Sequence, residues 1–167
     1  MNKPFQFILL FFFLLFLQVS VLNNIHFLGY VNPYLYISFV FFYPLKENRF
    51  PFLLASFILG LSVDFFSDSG GIHAFSILTI AFIRLFFIKI YFRKTSTDYP
   101  FFNLHSESFG KVFNYVTTLT VIHHFILFSF ANFSFQNISH VLLNTLYSSI
   151  FTLILFFLGT YIFTKNQ

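Results

Sequence analysis

Long apolar runs, broken by short polar or turn-forming pieces, organise this chain along its whole length. Six runs approach the roughly 20 residues that a hydrocarbon core about 30 Å thick requires. They cover residues 5–22, 29–45, 50–66, 72–92, 112–130 and 141–163. Between them lie Asn23-Asn24, Lys46-Glu47-Asn48-Arg49, Ser67-Asp68-Ser69-Gly70-Gly71, the long piece from Arg93 to Lys111, and residues 132–140. Strands of a membrane barrel would alternate apolar with polar over about ten residues. Phe7–Leu17 and Phe75–Ile90 do not alternate. The pattern predicts an all-α membrane protein, a single polytopic domain over residues 1–167 with about six transmembrane helices.

The basic residues give that bundle a direction. With the N-terminus inside, Lys3, Lys46, Arg49, Arg93, Lys94, Lys111 and Lys165 all fall in cytoplasmic segments, and Arg84 and Lys89 lie toward the cytoplasmic end of the fourth run. The outer segments 23–28, 67–71 and 131–140 hold no Lys or Arg. By the positive-inside rule both termini are cytoplasmic. The first run ends in Gln18-Val19-Ser20-Val21, without a small-x-small cleavage site, and is expected to be a retained helix and not a signal peptide.

Composition narrows the class further. Hydrophobic residues make up 57% of the chain and charged residues 8%, against about a quarter charged in a soluble domain, so a water-facing surface could not be dressed. There is no cysteine, which excludes disulfides, thiolate nucleophiles and thiolate metal sites. The net charge of +4 is spread over inter-helix segments and is explained by membrane topology without nucleic acid binding.

A few polar positions interrupt the apolar runs. Asp64 stands near the end of the third, with Gly60 one turn earlier and Ser56 one turn before that, forming a small-xxx-small ridge that lets another backbone approach closely. Two roles stay open for Asp64: capping the helices around the outer turn, or contacting a partner or ligand. Gly70 and Gly71 can take the positive φ of a turn. Ala74 and Ala81 continue a narrow face on the fourth helix, ending at Arg84. Arg84 lies about 20 Å down that helix from the outer turn, too deep to pair with Asp64. It is expected to snorkel to the cytoplasmic headgroups or to bind a backbone carbonyl or a lipid phosphate.

His123 and His124 are adjacent, about 100° apart on a helix, and so cannot ligate one metal as an i, i+4 pair can. His124 shares a face with Thr117 and Thr120, and Thr145, Ser148, Thr152 and Gly159 make a comparable stripe on the sixth run. Both faces are expected to hydrogen-bond between helices. No serine elbow, phosphate loop, acid pair or metal constellation is present, so no enzyme, cofactor or metal site is expected.

The stretch Gly60-Leu61-Ser62-Val63-Asp64-Phe65-Phe66-Ser67-Asp68-Ser69-Gly70-Gly71-Ile72-His73-Ala74 resembles the signature of the rod shape-determining protein MreD family, matching at Gly60, Asp64, Gly71 and Ala74. The size and six-span pattern are similar too, and the Phe-rich style with its histidine pair resembles members from the Bacteroidetes. The resemblance implies a multi-pass scaffold of the bacterial inner membrane. It would bind a bitopic MreC-like protein and work with MreB, RodA and the transpeptidase paired with RodA in cell elongation and peptidoglycan synthesis. It also implies a fold similar to the substrate-binding S subunits of energy-coupling-factor transporters, which makes vitamin or small-molecule uptake the alternative. On the leading reading, the ridge of Ser56, Gly60 and Asp64 beside Gly71 and Ala74 is expected to dock the partner's helix.

Overall fold

A computed structural model describes residues 3–25, 32–45, 48–94, 102–132 and 138–165. Its helices are α1 (Lys3–Ser20), α2 (Ser38–Phe42), α3 (Phe50–Ser67), α4 (Ile72–Phe92), α5 (Phe109–Asn132) and α6 (Ile138–Lys165). Five of these, all but α2, are long and apolar enough to cross a bilayer. Their bounds fall within a few residues of the apolar runs.

Over its described residues, 32–45, the second run does not form the continuous helix that its hydropathy predicts across 29–45. Only a 3₁₀ turn at Leu35–Ile37 and the 5 residues of α2 are helical there. Two prolines explain the difference. Pro33 and Pro44 bracket the segment, and the residue before a proline is pushed out of the α region. Tyr43, which precedes Pro44, is accordingly extended at φ −64°, ψ 133°.

The segment still travels the length of the bundle. Its Pro33 carbonyl meets Gln18, near the end of α1, while the Tyr43 ring lies 5.3 Å from that of Phe7, near the start of α1. The distance covered along α1 is about 16 Å at 1.5 Å per residue. α1 and α3 consequently run parallel, and their far ends are joined by the bond from Asn23 Nδ2 to Ser67 Oγ at 2.8 Å.

Around this broken segment the long helices form an arc. α1 packs on α3, α3 on α4, α4 on α5 and α5 on α6, and the ring is left open between α1 and α6. Large apolar side chains cover the outside: Phe65 is 81% exposed and Phe16 71%. Gln18, Asp64, His73, Arg84, His123 and His124 are all buried instead. That is the reverse of a protein dressed for water, and the chain is a multi-pass membrane protein. Arg49 opens α3, Arg93 and Lys94 follow α4, and Lys111 lies in the first turn of α5, so these basic residues share one end of the bundle. Lys46 and residues 95–101 of the long connection lie outside the described residues.

Candidate functional site

Asp64 serves two helices at once. Its carbonyl accepts the N–H of Ser69 at 3.2 Å and that of Asp68, which sits in the left-handed region and closes α3. Its carboxylate opens α4: Oδ1 accepts the His73 N–H at 3.0 Å, Oδ2 the Ala74 N–H at 2.8 Å, and the Ser69 hydroxyl donates to Oδ1 at 2.6 Å. These two N–H groups are the ones an N-cap side chain normally takes. The N-cap position here is Gly71, at φ 96°, which has no side chain to offer. Asp64 supplies the missing acceptor from the preceding helix, at the positive end of the α4 dipole.

Gly60 makes that reach feasible. A Cβ on Gly60 would lie 2.6 Å from Ala74 Cα, 2.8 Å from Ala74 N and 2.7 Å from Ile77 Cγ2. Backbone therefore rests on backbone at the α3–α4 crossing, one turn from Asp64. Ser56, Gly60 and Asp64 are all buried on α3, and Ala74 is buried on α4. This corrects the expected docking role at Gly60 and Asp64, where the ridge meets α4 of the same chain. The capping role is the one Asp64 performs.

A second set of polar groups converges on the broken segment, whose backbone lacks full helical pairing. Such backbone at membrane depth is tolerated only where protein satisfies it. Gln18 of α1 donates to the Pro33 carbonyl at 3.0 Å and accepts the Tyr36 N–H at 3.4 Å. Thr152 of α6 accepts the Tyr34 N–H at 3.0 Å. At the opposite end Arg84 of α4 donates to the Tyr43 carbonyl at 2.6 Å and to that of Phe41 at 3.4 Å.

Between these ends the Tyr36 hydroxyl bridges His73 Nδ1 at 3.0 Å and His123 Nε2 at 2.8 Å. One hydroxyl proton cannot serve both nitrogens, so one histidine donates and the other accepts. His123 Nδ1 is buried without a partner among the described residues. An unpaired lone pair there costs less than an unpaired N–H, which favours His123 Nε2–H donating to Tyr36 and Tyr36 donating to His73. His124 is fixed more simply: its Nδ1 lies 2.8 Å from the Thr120 carbonyl and must donate, leaving Nε2 to accept the Thr152 hydroxyl at 3.1 Å. The Tyr34 ring packs against all three histidines.

The structure thus brings Arg84 and His124 into one framework around the broken segment. Gly60, Asp64, Gly71 and Ala74 form a joint between α3 and α4 that His73 links to it, while Ser56 is buried on α3 and bonds the Phe52 carbonyl. Arg84 is 2% exposed and carbonyl-bound, which selects one of its expected roles and rules out snorkelling. The His124–Thr152 bond joins the two polar faces read from the fifth and sixth runs. Sequence reasoning missed Gln18, Tyr34, Tyr36 and His73. Gln18, one of two amides within the first run, and two prolines around the second were the available signals.

The open side of the arc is a groove of about 750 Å³ between α1 and α6, floored by Leu35, Ser38 and Phe42. Its walls are apolar side chains such as Leu10, Phe13 and Phe156, with Gly159 making a notch where a Cβ would meet nothing within 4 Å. The buried Ser38 hydroxyl has no hydrogen-bond partner among the described residues. None of the three histidines lines this groove. Comparison of the chain with family models, curated proteins and solved structures returns no match.

Proposed function

We propose that this chain is a non-enzymatic scaffold of the bacterial cell-elongation machinery, similar to MreD. On this reading it lies in the inner membrane with both termini cytoplasmic and receives the single transmembrane helix of an MreC-like partner. MreB, RodA and the transpeptidase paired with RodA are further members of the assembly. The observation that carries the proposal is the lateral groove between α1 and α6. The histidines and tyrosines of the framework beside it bond within the chain, and among the described residues no helix fills this side of the arc.

A helix suits this groove better than a lipid tail. From Gln6 to Leu14 it follows about two turns, some 12 Å of α1 at 1.5 Å per residue. Gly159 permits close backbone approach, the usual basis of helix pairing in lipid. The unpaired Ser38 hydroxyl needs an acceptor, which a helix side chain can offer and an acyl chain cannot. A solute-binding subunit, the alternative, would need several convergent polar groups in its pocket. Here only Gln6, Ser38 and Thr160 supply polar atoms, and the histidines and tyrosines that could recognise a solute bond one another.

Photo-crosslinking in native membranes tests this reading, with the reactive side chain placed at Phe13 or Gly159 in the groove and at the lipid-facing Phe82 as control. A bitopic MreC-like protein captured from the first two positions and not from the third is the expected result. Recovery of a transporter ATPase pair, with no MreC or RodA homologue, would overturn it.

A further inference from the structure

The groove between α1 and α6 ends partway through the bundle, and the broken segment is what ends it. Two adjacent backbone groups of that segment reach opposite walls: the Pro33 carbonyl accepts from Gln18 of α1, and the Tyr34 N–H donates to Thr152 of α6. At 1.5 Å per residue Gln18 lies about 22 Å from the start of α1 and Thr152 about 20 Å from the end of α6, so the walls are tied at one level. The groove lies on the basic side of this tie. Its α1 wall, Gln6 to Leu14, covers heights of about 4–17 Å, and its α6 wall, Leu155 to Thr160, about 7–15 Å. A hydrocarbon core about 30 Å thick is about twice that deep, so the groove serves one leaflet.

Three features describe what the groove takes. The Ser38 hydroxyl lines it on a residue 2% exposed and has no partner among the described residues. Serines within the long helices, such as Ser56, Ser62 and Ser76, bond the carbonyl four residues back. For Ser38 that carbonyl belongs to Tyr34, whose φ −114°, ψ 76° is not helical, so the internal bond is denied. Gly159 is the second feature, about 9 Å from the end of α6. Ser38 stands midway between the levels of Gln18 and Phe7, at about 14 Å, hence about one helical turn farther in. Charge is the third: α1 begins at Lys3 and α6 ends at Lys165, so a basic flank on the occupant would meet like charge and an acidic flank opposite charge.

We propose that the groove grips a partner's transmembrane helix over the half nearest the basic end, and over that half alone. The helix presents a small residue to Gly159, a hydrogen-bonding side chain one turn farther in to Ser38, and an acidic residue where it leaves the bilayer between α1 and α6. Close approach at glycine and interhelical hydrogen bonds are contacts that hold helices together in lipid. Past the tie at Pro33 and Tyr34 the partner has no groove to enter, so its other half stays available to further members of the assembly. That a bitopic partner exists rests on the elongation reading, whereas the length of the grip is set by the tie.

A photoreactive side chain walked along both walls of the full chain in native membranes provides the test. Leu9 and Leu155 lie in the groove, and the exposed Ser20 and Tyr147 lie beyond the tie on the same two helices. Capture of a bitopic protein from Leu9 and Leu155, about tenfold or more above Ser20 and Tyr147, is the expected result, with the crosslinked peptides falling in the half of its helix next to an acidic flank. Comparable capture at both levels overturns the half-length grip while the elongation reading stands. Phospholipid adducts alone, or no bitopic protein at any position, overturn both. Ser38→Ala gives a second readout: recovery of the captured partner should fall about threefold or more while the thermal midpoint of the isolated chain stays unchanged. Undiminished recovery would overturn the register that sets a polar residue against Ser38.

Discussion

Gly60 and Ala74 touch backbone to backbone, and the contact fixes how far Asp64 can reach. The two helices meet where a Cβ on Gly60 would lie 2.6 Å from Ala74 Cα. Leucine at position 60 must push α4 away, and with it the His73 and Ala74 N–H groups that the carboxylate caps. We expect Gly60→Leu to destabilise the folded state by about 3 kcal/mol or more, since it combines overpacking with loss of a cap. Equilibrium unfolding in mixed micelles measures the change, and amide exchange at His73 and Ala74 localises it. Unchanged protection at those amides would refute the coupling.

Substitutions at Asp64 should grade with the acceptors they leave. Asp64→Asn keeps one oxygen for the first turn of α4, whereas Asp64→Ala keeps none. The expected costs are about 1 kcal/mol and about 2–3 kcal/mol, including the loss of favourable charge at the helix end. The same unfolding measurement separates them. Equal losses would mean that the carboxylate acts through something other than its two cap bonds.

Tyr36→Phe tests the network around the broken segment. It removes no apolar volume but leaves His73 Nδ1 and His123 Nε2 without their shared hydroxyl. A cost of about 2 kcal/mol follows from two buried nitrogens losing their partner. Thr152→Val should cost a similar amount, because the Tyr34 N–H and His124 Nε2 both depend on that hydroxyl. Tyr161→Phe, exposed on the lipid side, is the control expected to change stability by less than about 0.5 kcal/mol.

Filling the groove should separate assembly from folding. Gly159→Leu adds a side chain where a Cβ meets nothing within 4 Å, so the thermal midpoint should move little. Recovery of the proposed bitopic partner should fall severalfold, as expected when close helix approach is blocked. Co-purification measures this, alongside a thermal scan of the isolated chain. Full recovery would remove the groove from the interface.

Topology is accessible because the chain contains no cysteine. A single cysteine at Ser106 should be labelled by an impermeant maleimide only after the cytoplasmic side is opened, and one at Asn24 should be labelled from outside. Reversal of the two would overturn the N-inside orientation. Ser96, in the same connection as Ser106, lies outside the described residues.

Five of the long helices were legible in the sequence because hydropathy over 18 or more residues leaves few other solutions in lipid. The third and fourth runs match α3 and α4 to within a residue, since Asp64, Asp68 and the glycines mark their joint. The second run failed because hydropathy counts residues without asking whether their backbone can be helical, and Pro33 and Pro44 deny that. The partners of Asp64 were only half legible. Capping is a local rule, but the choice of the His73 and Ala74 amides depends on a helix crossing that spacing does not give. Tyr36 was invisible for the same reason: a tyrosine among thirty-three phenylalanines stands out only once two histidines from other helices meet its hydroxyl.

The broken segment also sets an order of events during synthesis. When residues 33–45 first meet the membrane, Arg84, His123 and Thr152 have not yet been made. With 5 residues of α-helix the segment cannot satisfy its own backbone in hydrocarbon, so it cannot settle there as an independent helix. It must wait at the interface or in the insertion machinery until α4, α5 and α6 arrive to receive it. A stretch made early, just after α1, is thus among the last to find its place, and truncations from the far end should release it first.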